Sequence, residues 1–465
     1  MDITGLEAGD LVGMLSRKEI GAQELMRATL ERIAATNGAV NAIVELRDED
    51  TLMKEARAAD NAASRGALFG LPMAVKDLAN VAGLATSQGS PLFAGQVAQT
   101  DDLHVARMRA AGAIFIGKTN TPEFGLGSHT FNPVHGVTLN PYDPGRSCGG
   151  SSGGAAVALA CGMLSLADGS DMMGSLRNPA GWCNVYGMRP SWSLVPSEPR
   201  ADTFLHQLST NGPMARSPRD MARLLAVMAG PDPRQPHGAA APDLGDIRPK
   251  AKDARIGWLG DWGGAWPFEA GILDLSEEAL RVFEGLGATV EPVQPPFSRD
   301  ALWQSWVTLR HWAVSANLTP LLESGRLKPE AVWEVEQGQR LSALDVHKAS
   351  VIRSGWFAAA ARVFDHYDAL ALPTAQVWPF PADWTYPKEI AGQQMDSYHR
   401  WMEVVVPASL AGLPAVAVPA GFGENCLPMG IQLIGRRGDD ARLLELAQAY
   451  HEATLWPTRR PPVPS

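Results

Sequence analysis

Two glycine-rich segments, separated by a short run of small apolar residues, constrain this chain more than any other part of its sequence. The first reads Gly-Gly-Ser-Ser-Gly-Gly at residues 149–154, and the second reads Gly-Ser-Asp-Met-Met-Gly-Ser-Leu-Arg at residues 169–177. The apolar residues 155–167 between them predict one buried helix that crosses the core. This stretch is too short to span a bilayer. We therefore expect a serine-bearing loop at each end of a buried helix.

The serines of these loops, Ser151 and Ser175, indicate a particular kind of chemistry. A neutral serine hydroxyl is a poor nucleophile, so a serine enzyme needs a base beside it. It also needs hydrogen-bond donors directed at the oxyanion that forms when a carbonyl is attacked. Glycine-rich loops provide both sharp turns and free backbone N–H groups. The pair of loops therefore points to acyl transfer.

Three flanking motifs, together with the two loops, carry a resemblance to a known family. The flanking motifs are Gly-Leu-Pro-Met-Ala-Val-Lys-Asp at residues 70–77, Gly-Lys-Thr-Asn-Thr-Pro-Glu-Phe at residues 117–124 and Leu-Ala-Gly-Leu-Pro-Ala at residues 410–415. With them the chain resembles the amidase signature enzymes, which use a serine, a second serine with a cis peptide, and a lysine. Residues 231–395 carry little of this resemblance.

The resemblance implies a role for several residues of this sequence. Ser175 matches the nucleophile, Ser151 the cis-serine that bridges nucleophile and base, and Lys76 the base. Backbone N–H groups beside the nucleophile would bind the developing oxyanion, and Gly125 would lie on the substrate side of the site. The residues that supply these N–H groups are Met172, Met173, Gly174 and Ser175. The resemblance implies neither a cofactor nor a metal.

The sequence around Lys76 favours the neutral state that a lysine base requires. Burial lowers the pKa of an ammonium group because it disfavours the charged form. Lys76 follows an apolar segment, residues 71–75, that we expect to run into the core. Ser151 would then relay the Ser175 proton to Lys76. The same proton would return to the leaving nitrogen before water releases the acyl group.

The chain departs from the usual family pattern beside the nucleophile. Most members carry a smaller residue and then glycine where this chain has Met172 and Met173. A methionine donates its N–H at negative φ, but it does not readily adopt the positive φ that glycine tolerates. We therefore expect an intact oxyanion loop in more crowded and apolar surroundings. Smaller departures are Cys148, where proline is common, and Asn184, where glycine is common.

Charged residues flank both the nucleophile and the base. We expect Asp171 and Arg177 to form a structural ion pair that holds the oxyanion loop. The alternative is a direct contact between Arg177 and a substrate carboxylate, because a guanidinium suits carboxylates. Asp77 follows Lys76 directly, and adjacent strand residues point to opposite faces. We therefore expect Asp77 to be a satisfied structural acid.

Two other residues compete for the catalytic roles. Lys118 is the rival base, although the family assigns no proton transfer to its segment. Ser152 satisfies a Gly-x-Ser-x-Gly pattern with Gly150 and Gly154, which would suggest a nucleophile elbow. An elbow follows a buried strand, whereas Ser152 follows a loop rich in turn residues. The same loop lacks the Gly-Lys-Ser/Thr sequence that ends a phosphate-binding loop, so nucleotide binding is not expected.

Short apolar runs alternate with helical segments over residues 70–230, which predicts an α/β fold. We expect a large, mixed, mostly parallel-type twisted sheet that is covered by helices on both faces. The single body would have a helical N-terminal layer (residues 1–65), a signature core (66–230), a variable tryptophan-rich segment on the substrate side (231–400), and closing strands with a C-terminal helix (401–465). We expect residues 231–253 to form a long surface connection. Ser217 and Pro218 predict the start of a helix.

Charge and cysteine content exclude several classes of protein. A net charge of −10 argues against non-specific nucleic-acid binding, which needs a basic surplus. The four cysteines show neither a metal-ligand spacing nor a disulfide framework, and no secretory signal is visible. We expect a cytoplasmic protein that binds neither nucleic acid nor a membrane, and a homodimer stays open. Most tryptophans should pack in the core, and some would line a cleft for an apolar substrate.

Together these features predict an amidohydrolase that cleaves the C–N bond of a small, uncharged, hydrophobic or aryl amide through a Ser175 acyl-enzyme. The same residues would serve a carbamate, urea-derivative or ester hydrolase, because acyl chemistry does not fix the leaving group. The family also contains glutamine-hydrolysing subunits of amidotransferases, which need further proteins as partners. A non-catalytic binding protein that kept the fold is the alternative from another class.

Overall fold

The computed structural model of the protein describes residues 2–62, 66–200, 202–245 and 247–462. The predicted end of the N-terminal layer at residue 65, and residues 463–465 of the closing part, lie outside this range. The α-helices are α1 (Ala8–Arg17), α2 (Ala22–Val40), α3 (Glu49–Asp60), α4 (Leu103–Ala110), α5 (Gly153–Ala160), α6 (Asn178–Trp182), α7 (Pro218–Met228), α8 (Ile272–Gly285), α9 (Arg299–Leu318), α10 (Pro329–Gln339), α11 (Ala343–Val363), α12 (Val406–Ala411) and α13 (Asp440–Thr454).

Strands and short 3₁₀ helices complete the set of described elements. The strands are β1 (Ile43–Val44), β2 (Pro72–Lys76), β3 (Ile114–Thr119), β4 (Phe131–Asn132), β5 (Gly136–Val137), β6 (Leu166–Asp171), β7 (Tyr186–Arg189), β8 (Thr210–Ala215), β9 (Arg255–Trp258), β10 (Thr289–Pro292), β11 (Ala369–Pro373), β12 (Glu389–Ile390), β13 (Gln393–Gln394), β14 (Ala415–Phe422) and β15 (Pro428–Ile434). The 3₁₀ helices are Ile3–Gly5, Glu123–Gly125, Thr319–Ser324, Arg400–Val405 and Trp456–Thr458. Among the described helices, none is both long and apolar enough to cross a membrane.

The helical nature of the N-terminal layer is confirmed for the residues that the structure describes. Helices α1, α2 and α3 follow one another there, interrupted only by the short strand β1. Leu11 and Leu15 on α1 and Leu25 and Ile33 on α2 are buried. Their spacing gives each helix one apolar face, and that face packs on the main body.

An eight-stranded mixed sheet forms the centre of the main body. Its strand order is β10-β9-β11-β15-β14-β7-β8-β6, and β9 pairs in parallel with β10 and β11. The other five pairings are antiparallel. The predicted mixed sheet flanked by helices is confirmed, but its expected mostly parallel character is wrong. The hairpin of β14 and β15 shows why, because a short turn cannot return the chain to a parallel neighbour.

A second sheet, of order β1-β3-β2, carries two buried lysines. Strands β2 and β3 pair in parallel; Lys76 is the last residue of β2 and Lys118 lies in β3. The backbone N–H of Lys76 donates to Asp168 Oδ1 across 3.1 Å, which joins β2 to β6 of the main sheet. This contact brings the end of β2 beside the second glycine-rich segment.

The helix expected over residues 155–167 is shorter than predicted. Helix α5 spans Gly153–Ala160, and the chain then turns through Gly162, at φ +73°, before it enters β6. A positive φ cannot continue a right-handed helix, so Gly162 ends the helical path. Leu166 pairs instead with Ala215 of β8. The nucleophile loop therefore follows a strand and not a helix.

Two predictions about the region after β8 are confirmed. Ser217 caps α7, because its side chain accepts a hydrogen bond from the Asp220 N–H, and the helix ends at Met228. The described residues within 231–253 contain neither helix nor strand. The division of the chain into four parts stays a prediction.

The tryptophan-rich part packs around a hydrophobic core of its own. Six tryptophans are buried in it: Trp182, Trp262, Trp266, Trp306, Trp356 and Trp401. Helix α9 packs against both α10 and α11 in this part of the molecule. The C-terminal half of α9 extends beyond this core and lines a cavity of about 370 Å³.

Candidate active site

The end of β2 meets hydroxyl groups from both glycine-rich segments. Lys76 Nζ lies 2.7 Å from Ser151 Oγ, 2.9 Å from Ser152 Oγ and 3.1 Å from Ser170 Oγ. The Lys76 side chain is buried, with 1% of the residue's surface exposed. The three nearest polar neighbours of the amine are therefore neutral hydroxyl groups.

This environment changes the protonation of Lys76. Burial lowers the pKa of the Lys76 ammonium group to about 7, although the negative charges of Asp168 and Asp171 oppose the shift. At neutral pH a large share of Lys76 is therefore uncharged and able to accept a proton. Ser151 Oγ is in hydrogen-bond contact to deliver that proton.

The loop that carries Ser151 is held through its backbone carbonyls. Thr130 Oγ1 donates to Gly149 O across 2.8 Å, and Ser128 Oγ donates to Gly150 O across 2.6 Å. All four residues are buried. The loop is therefore fixed from behind while the Ser151 side chain faces Lys76.

The two serine loops are joined to each other. The peptide bond between Gly150 and Ser151 is cis, the geometry that the family resemblance implies. The next residue, Ser152, donates its backbone N–H to Ser175 O across 3.1 Å. A direct backbone hydrogen bond thus fixes the distance between the loop of Ser151 and the loop of Ser175.

Asp171 organises the backbone around Ser175. Its carboxylate accepts hydrogen bonds from the N–H of Gly174 (2.9 Å) and of Leu176 (3.1 Å). Arg177 binds it through Nε and Nη2, each at 3.0 Å, so the predicted ion pair is present. Burial would raise the pKa of the Asp171 carboxyl, but the charges of Arg177 and Arg189 outweigh it and hold the pKa below its ordinary value.

Arg177 uses its guanidinium for contacts within the protein. Nη1 donates to Val405 O (3.1 Å) and Gln432 Oε1 (2.5 Å), and Nη2 donates to Ser409 Oγ (2.7 Å). The side chain is fully buried and does not line the cavity. The alternative in which Arg177 contacts a substrate carboxylate is therefore wrong.

Backbone donors remain free in the loop that carries the nucleophile. Among the residues that the structure describes, the N–H groups of Met172, Met173 and Ser175 have no acceptor. The N–H of Gly174 was expected to be a fourth oxyanion donor, but it already donates to Asp171. That part of the prediction is wrong, because the carboxylate that orders the loop occupies this donor.

Ser175 lies on a cavity of about 370 Å³ that has two distinct walls. The serine wall comes from the signature core and comprises Gly125, Ser151, Ser170, Met172, Met173 and Ser175. The helical wall comes from α9 and the 3₁₀ helix after it, and comprises Arg310, Val314, Asn317, Leu318 and Leu321. No tryptophan of the described chain lines the cavity, so the expected tryptophan cleft is wrong.

Gly125 takes part in the serine wall by leaving space. Its φ is +68°, and its N–H donates to Pro122 O across 2.8 Å. A Cβ at this position would lie 2.9 Å from Leu78 Cδ1 and 3.5 Å from Ser151 Oγ. Gly125 therefore keeps room beside the Ser151 hydroxyl and offers no free N–H.

The sequence-level competitors, Lys118 and Ser152, lie outside the cavity. Lys118 Nζ donates to Thr86 Oγ1 across 3.1 Å and lies 3.8 Å from Asp77 Oδ1. Asp77 also accepts a hydrogen bond from the Ser87 N–H at 3.1 Å, as expected for a structural acid. Ser152 is fully buried, so the nucleophile elbow is wrong.

Ser170 and Arg310 are among the cavity residues to which the sequence assigned no role. Ser170 contacts Lys76 through Oγ and lines the serine wall. Arg310 lies on the helical wall although only 3% of its surface is exposed. A signal for it exists, because Arg310 is spaced four residues from the buried Trp306 and Val314 and so interrupts the apolar face of α9.

Comparisons with known sequences agree with this geometry. The family model described as Amidase matches residues 24–444. An acylamidase of Rhodococcus erythropolis is 30% identical over 467 residues, which cover 98% of this chain and 97% of the relative. A glutamyl-tRNA(Gln) amidotransferase subunit from Chloroflexus aurantiacus is 35% identical over 486 residues, covering 96% of each chain. The match thus extends through nearly the whole chain.

Solved structures give the same result. A bacterial aryl acylamidase, described as an amidase signature enzyme, superposes with a TM-score of 0.91 at 27% identity, covering 98% of this chain and 99% of that one. A 6-aminohexanoate cyclic dimer hydrolase in complex with its substrate superposes with a TM-score of 0.89 at 25% identity, covering 99% of each chain. The chain therefore belongs to the amidase signature family of enzymes, which act on carbon–nitrogen bonds.

Proposed function

We propose that this protein hydrolyses the C–N bond of a small, uncharged, hydrophobic or aryl amide through a Ser175 acyl-enzyme. The observation that carries the proposal is the 2.7 Å contact between Lys76 Nζ and Ser151 Oγ, at a lysine whose pKa is about 7. Ser151 and Ser175 line the same cavity. A base, a relay hydroxyl and a nucleophile therefore surround one place where a carbonyl group can bind.

Acylation uses all three residues. Ser175 Oγ attacks the carbonyl carbon, while Ser151 takes the Ser175 proton and passes its own to the neutral Lys76. The free N–H groups of Met172 and Met173, with that of Ser175, stabilise the oxyanion of the tetrahedral intermediate. When the intermediate collapses, the C–N bond breaks. The proton returns from Lys76 through Ser151 to the leaving nitrogen.

Deacylation reverses the direction of proton transfer. A water molecule attacks the ester carbonyl of the acyl-enzyme, and Ser151 and Lys76 accept its proton. Collapse of the second tetrahedral intermediate breaks the bond to Ser175 Oγ, which recovers a proton from the relay. The carboxylic acid leaves, and the enzyme is ready for the next amide.

The cavity supports a small and mainly apolar substrate. Its volume of about 370 Å³ is within the range of small-molecule sites. Besides the two walls, the apolar residues Leu78, Phe93, Phe124, Leu126 and Met402 line it, together with Gly127 and the polar residues Gln88, Arg200 and Ser209. The relatives named acylamidase and aryl acylamidase support the same substrate class. Carbamates, urea derivatives and esters share the acyl chemistry, so they belong in the same substrate panel.

A second candidate is the glutamine-hydrolysing component of an amidotransferase. It is favoured by the 35% identity to the Chloroflexus aurantiacus amidotransferase subunit over almost the full chain. Such a component would release ammonia from glutamine and would depend on partner proteins. Glutaminase activity together with co-purifying partners would favour this candidate over a free-standing amidase.

The test is a substrate panel with the purified protein. Anilides, aliphatic amides, lactams, carbamates, esters and glutamine are compared by identifying the products, with and without a metal chelator. We expect anilides to react fastest, and a fluorophosphonate probe to label Ser175. Ser175→Ala should abolish turnover, whereas Ser350→Ala, at an exposed position of α11, should leave it unchanged. Full activity of Ser175→Ala would overturn the assignment.

A further inference from the structure

Arg310 has a buried guanidinium group, and one of its nitrogens, Nη1, has only a weak hydrogen-bond acceptor. Its Nε donates to Glu334 Oε1 across 2.7 Å, and its Nη2 donates to Tyr398 Oη across 2.7 Å. The acceptor of Nη1 is the sulfur of Met172, at 3.3 Å. A thioether is a weak hydrogen-bond acceptor, so this donor gains little from its partner. Both Arg310 and Met172 line the cavity that contains Ser175.

The charge of Arg310 is already balanced inside the protein. Glu334 carries the compensating carboxylate, which also accepts the Tyr398 hydroxyl at 2.6 Å and lies 2.6 Å from His311 Nδ1. Burial would lower the pKa of Arg310, but Glu334 and Tyr398 raise it above its ordinary value, so the guanidinium stays charged. A substrate carboxylate would add an uncompensated charge to a buried neutral pair, whereas a neutral oxygen would not.

We propose that Arg310 Nη1 recognises a neutral oxygen acceptor, such as a ketone, amide or ether oxygen, on the substrate away from the scissile bond. This inference rests on the proposed amidase function and names a specificity-determining residue for it. When the substrate binds, its oxygen replaces the Met172 sulfur as the acceptor of Nη1. A methionine side chain is flexible and unbranched, so it can move aside at low cost.

The same arrangement explains why a methionine can be useful at position 172, where the family usually has a smaller residue. Without a substrate, its sulfur is the partner of a charged donor that would otherwise face the cavity unpaired. With an apolar substrate, the sulfur stays in place. The pair therefore admits apolar amides but favours those that carry a correctly placed oxygen.

The expected preference is about 10- to 100-fold in kcat/KM, the usual range for a hydrogen bond to a charged group offset by loss of the sulfur contact. It is measured with two series of nitroanilide-type amides, one with a ketone in the acyl part and one with a ketone in the amine part. In each series the ketone moves outward one carbon at a time. Each member is compared with its apolar isostere and with the analogue that carries a carboxylate at the same place.

The variant Arg310→Lys keeps the charge opposite Glu334, but one ammonium nitrogen replaces the three guanidinium nitrogens, so no donor remains at the position of Nη1. We expect it to act through KM, so that the ratio of kcat/KM between the best ketone substrate and its apolar isostere falls toward one. The matched control is Arg200→Lys, at a half-exposed arginine of the same cavity that pairs with Asp102, and it should keep the preference. If Arg310→Lys folds poorly, Tyr398→Phe removes one anchor of Nη2 without a charge change, and it should weaken the preference in part.

The outcomes separate this inference from the proposed function. Turnover of apolar anilides with no ketone preference in either series would overturn the role of Arg310 alone. Equal losses for ketone and apolar substrates in Arg310→Lys would assign it a merely structural role, and a preference for the carboxylate analogue would contradict recognition of a neutral oxygen. Lack of turnover of every amide would refute the proposed function itself.

Discussion

The two walls of the cavity are built by different physical means. The serine wall is held by hydrogen bonds from buried groups, such as those of Asp171 to two backbone N–H groups and to Arg177. The helical wall is one face of α9 and presents mainly apolar side chains, including Val314 and Leu318. A hydrogen-bonded wall fixes atoms to the accuracy that chemistry needs, whereas an apolar wall changes shape with each side chain. We therefore expect the serine wall to set the rate for every substrate and the helical wall to select among substrates.

The largest effect should come from removing Lys76, the base that contacts Ser151 of the serine wall. Lys76→Ala is expected to lower kcat/KM about 10⁴-fold for all substrates alike, because no other basic side chain of the described residues contacts the Ser151 hydroxyl. Lys118→Met removes an equally buried lysine from the neighbouring strand and provides the control. It should reduce stability, because Asp77 loses a partner, but change kcat of the folded protein less than tenfold. Similar losses of kcat in both variants would contradict the assignment of Lys76.

The next effect is on stability. Asp171→Asn leaves Arg177 and Arg189 buried without their carboxylate, so the free energy of unfolding should fall by about 3–5 kcal/mol. Denaturant titration followed by circular dichroism measures the change. Glu19→Gln is the control, since its pair with Arg17 is exposed and should contribute nothing measurable. A stable Asp171→Asn variant would show that the serine wall does not depend on this network.

The pH dependence of kcat/KM tests the state of Lys76. The relay needs the neutral amine, so activity should fall about tenfold per pH unit below the pKa of about 7 and level off at higher pH. The charge of Asp168 raises this pKa, so Asp168→Asn should move the acid limb to lower pH. Asp396→Asn, at an exposed position, should not move it. An acid limb that is unchanged in Asp168→Asn would assign the titration to another group.

The sequence predicted the ion pair behind the serine wall because its residues lie in one short motif. Asp171, Ser175 and Arg177 are close neighbours in the chain, and the turn that joins them is specified locally. Lys76 could be assigned only through the family resemblance, since the base reaches Ser151 through the meeting of β2 and β6. The donor role of Gly174 failed because the carboxylate of Asp171 competes for its N–H.

Features that depend on long-range packing could not be predicted. The antiparallel character of the main sheet is one, because it follows from which strands meet and not from their apolar composition. The contact between Arg310 and Met172 is another, since it joins α9 to the nucleophile loop across a large distance in sequence. The prediction that tryptophans line the substrate cavity failed for a related reason. Composition predicts that aromatic residues pack, but not which of them reach a cavity.

The smallest expected effect concerns the helical wall and separates selection from catalysis. Val314→Ala deletes two methyl carbons from the cavity surface, while Val335→Ala deletes the same atoms from the small core behind it. Both should cost about 1–3 kcal/mol of stability. Only Val314→Ala should shift the ratio of kcat/KM for a bulky and a small anilide, by about threefold to tenfold, because only that change enlarges the space open to the substrate. Steady-state kinetics of both variants on the two anilides measure this shift. An equal shift in Val335→Ala would mean that the helical wall affects selectivity through the packing of the protein and not through contact with the substrate.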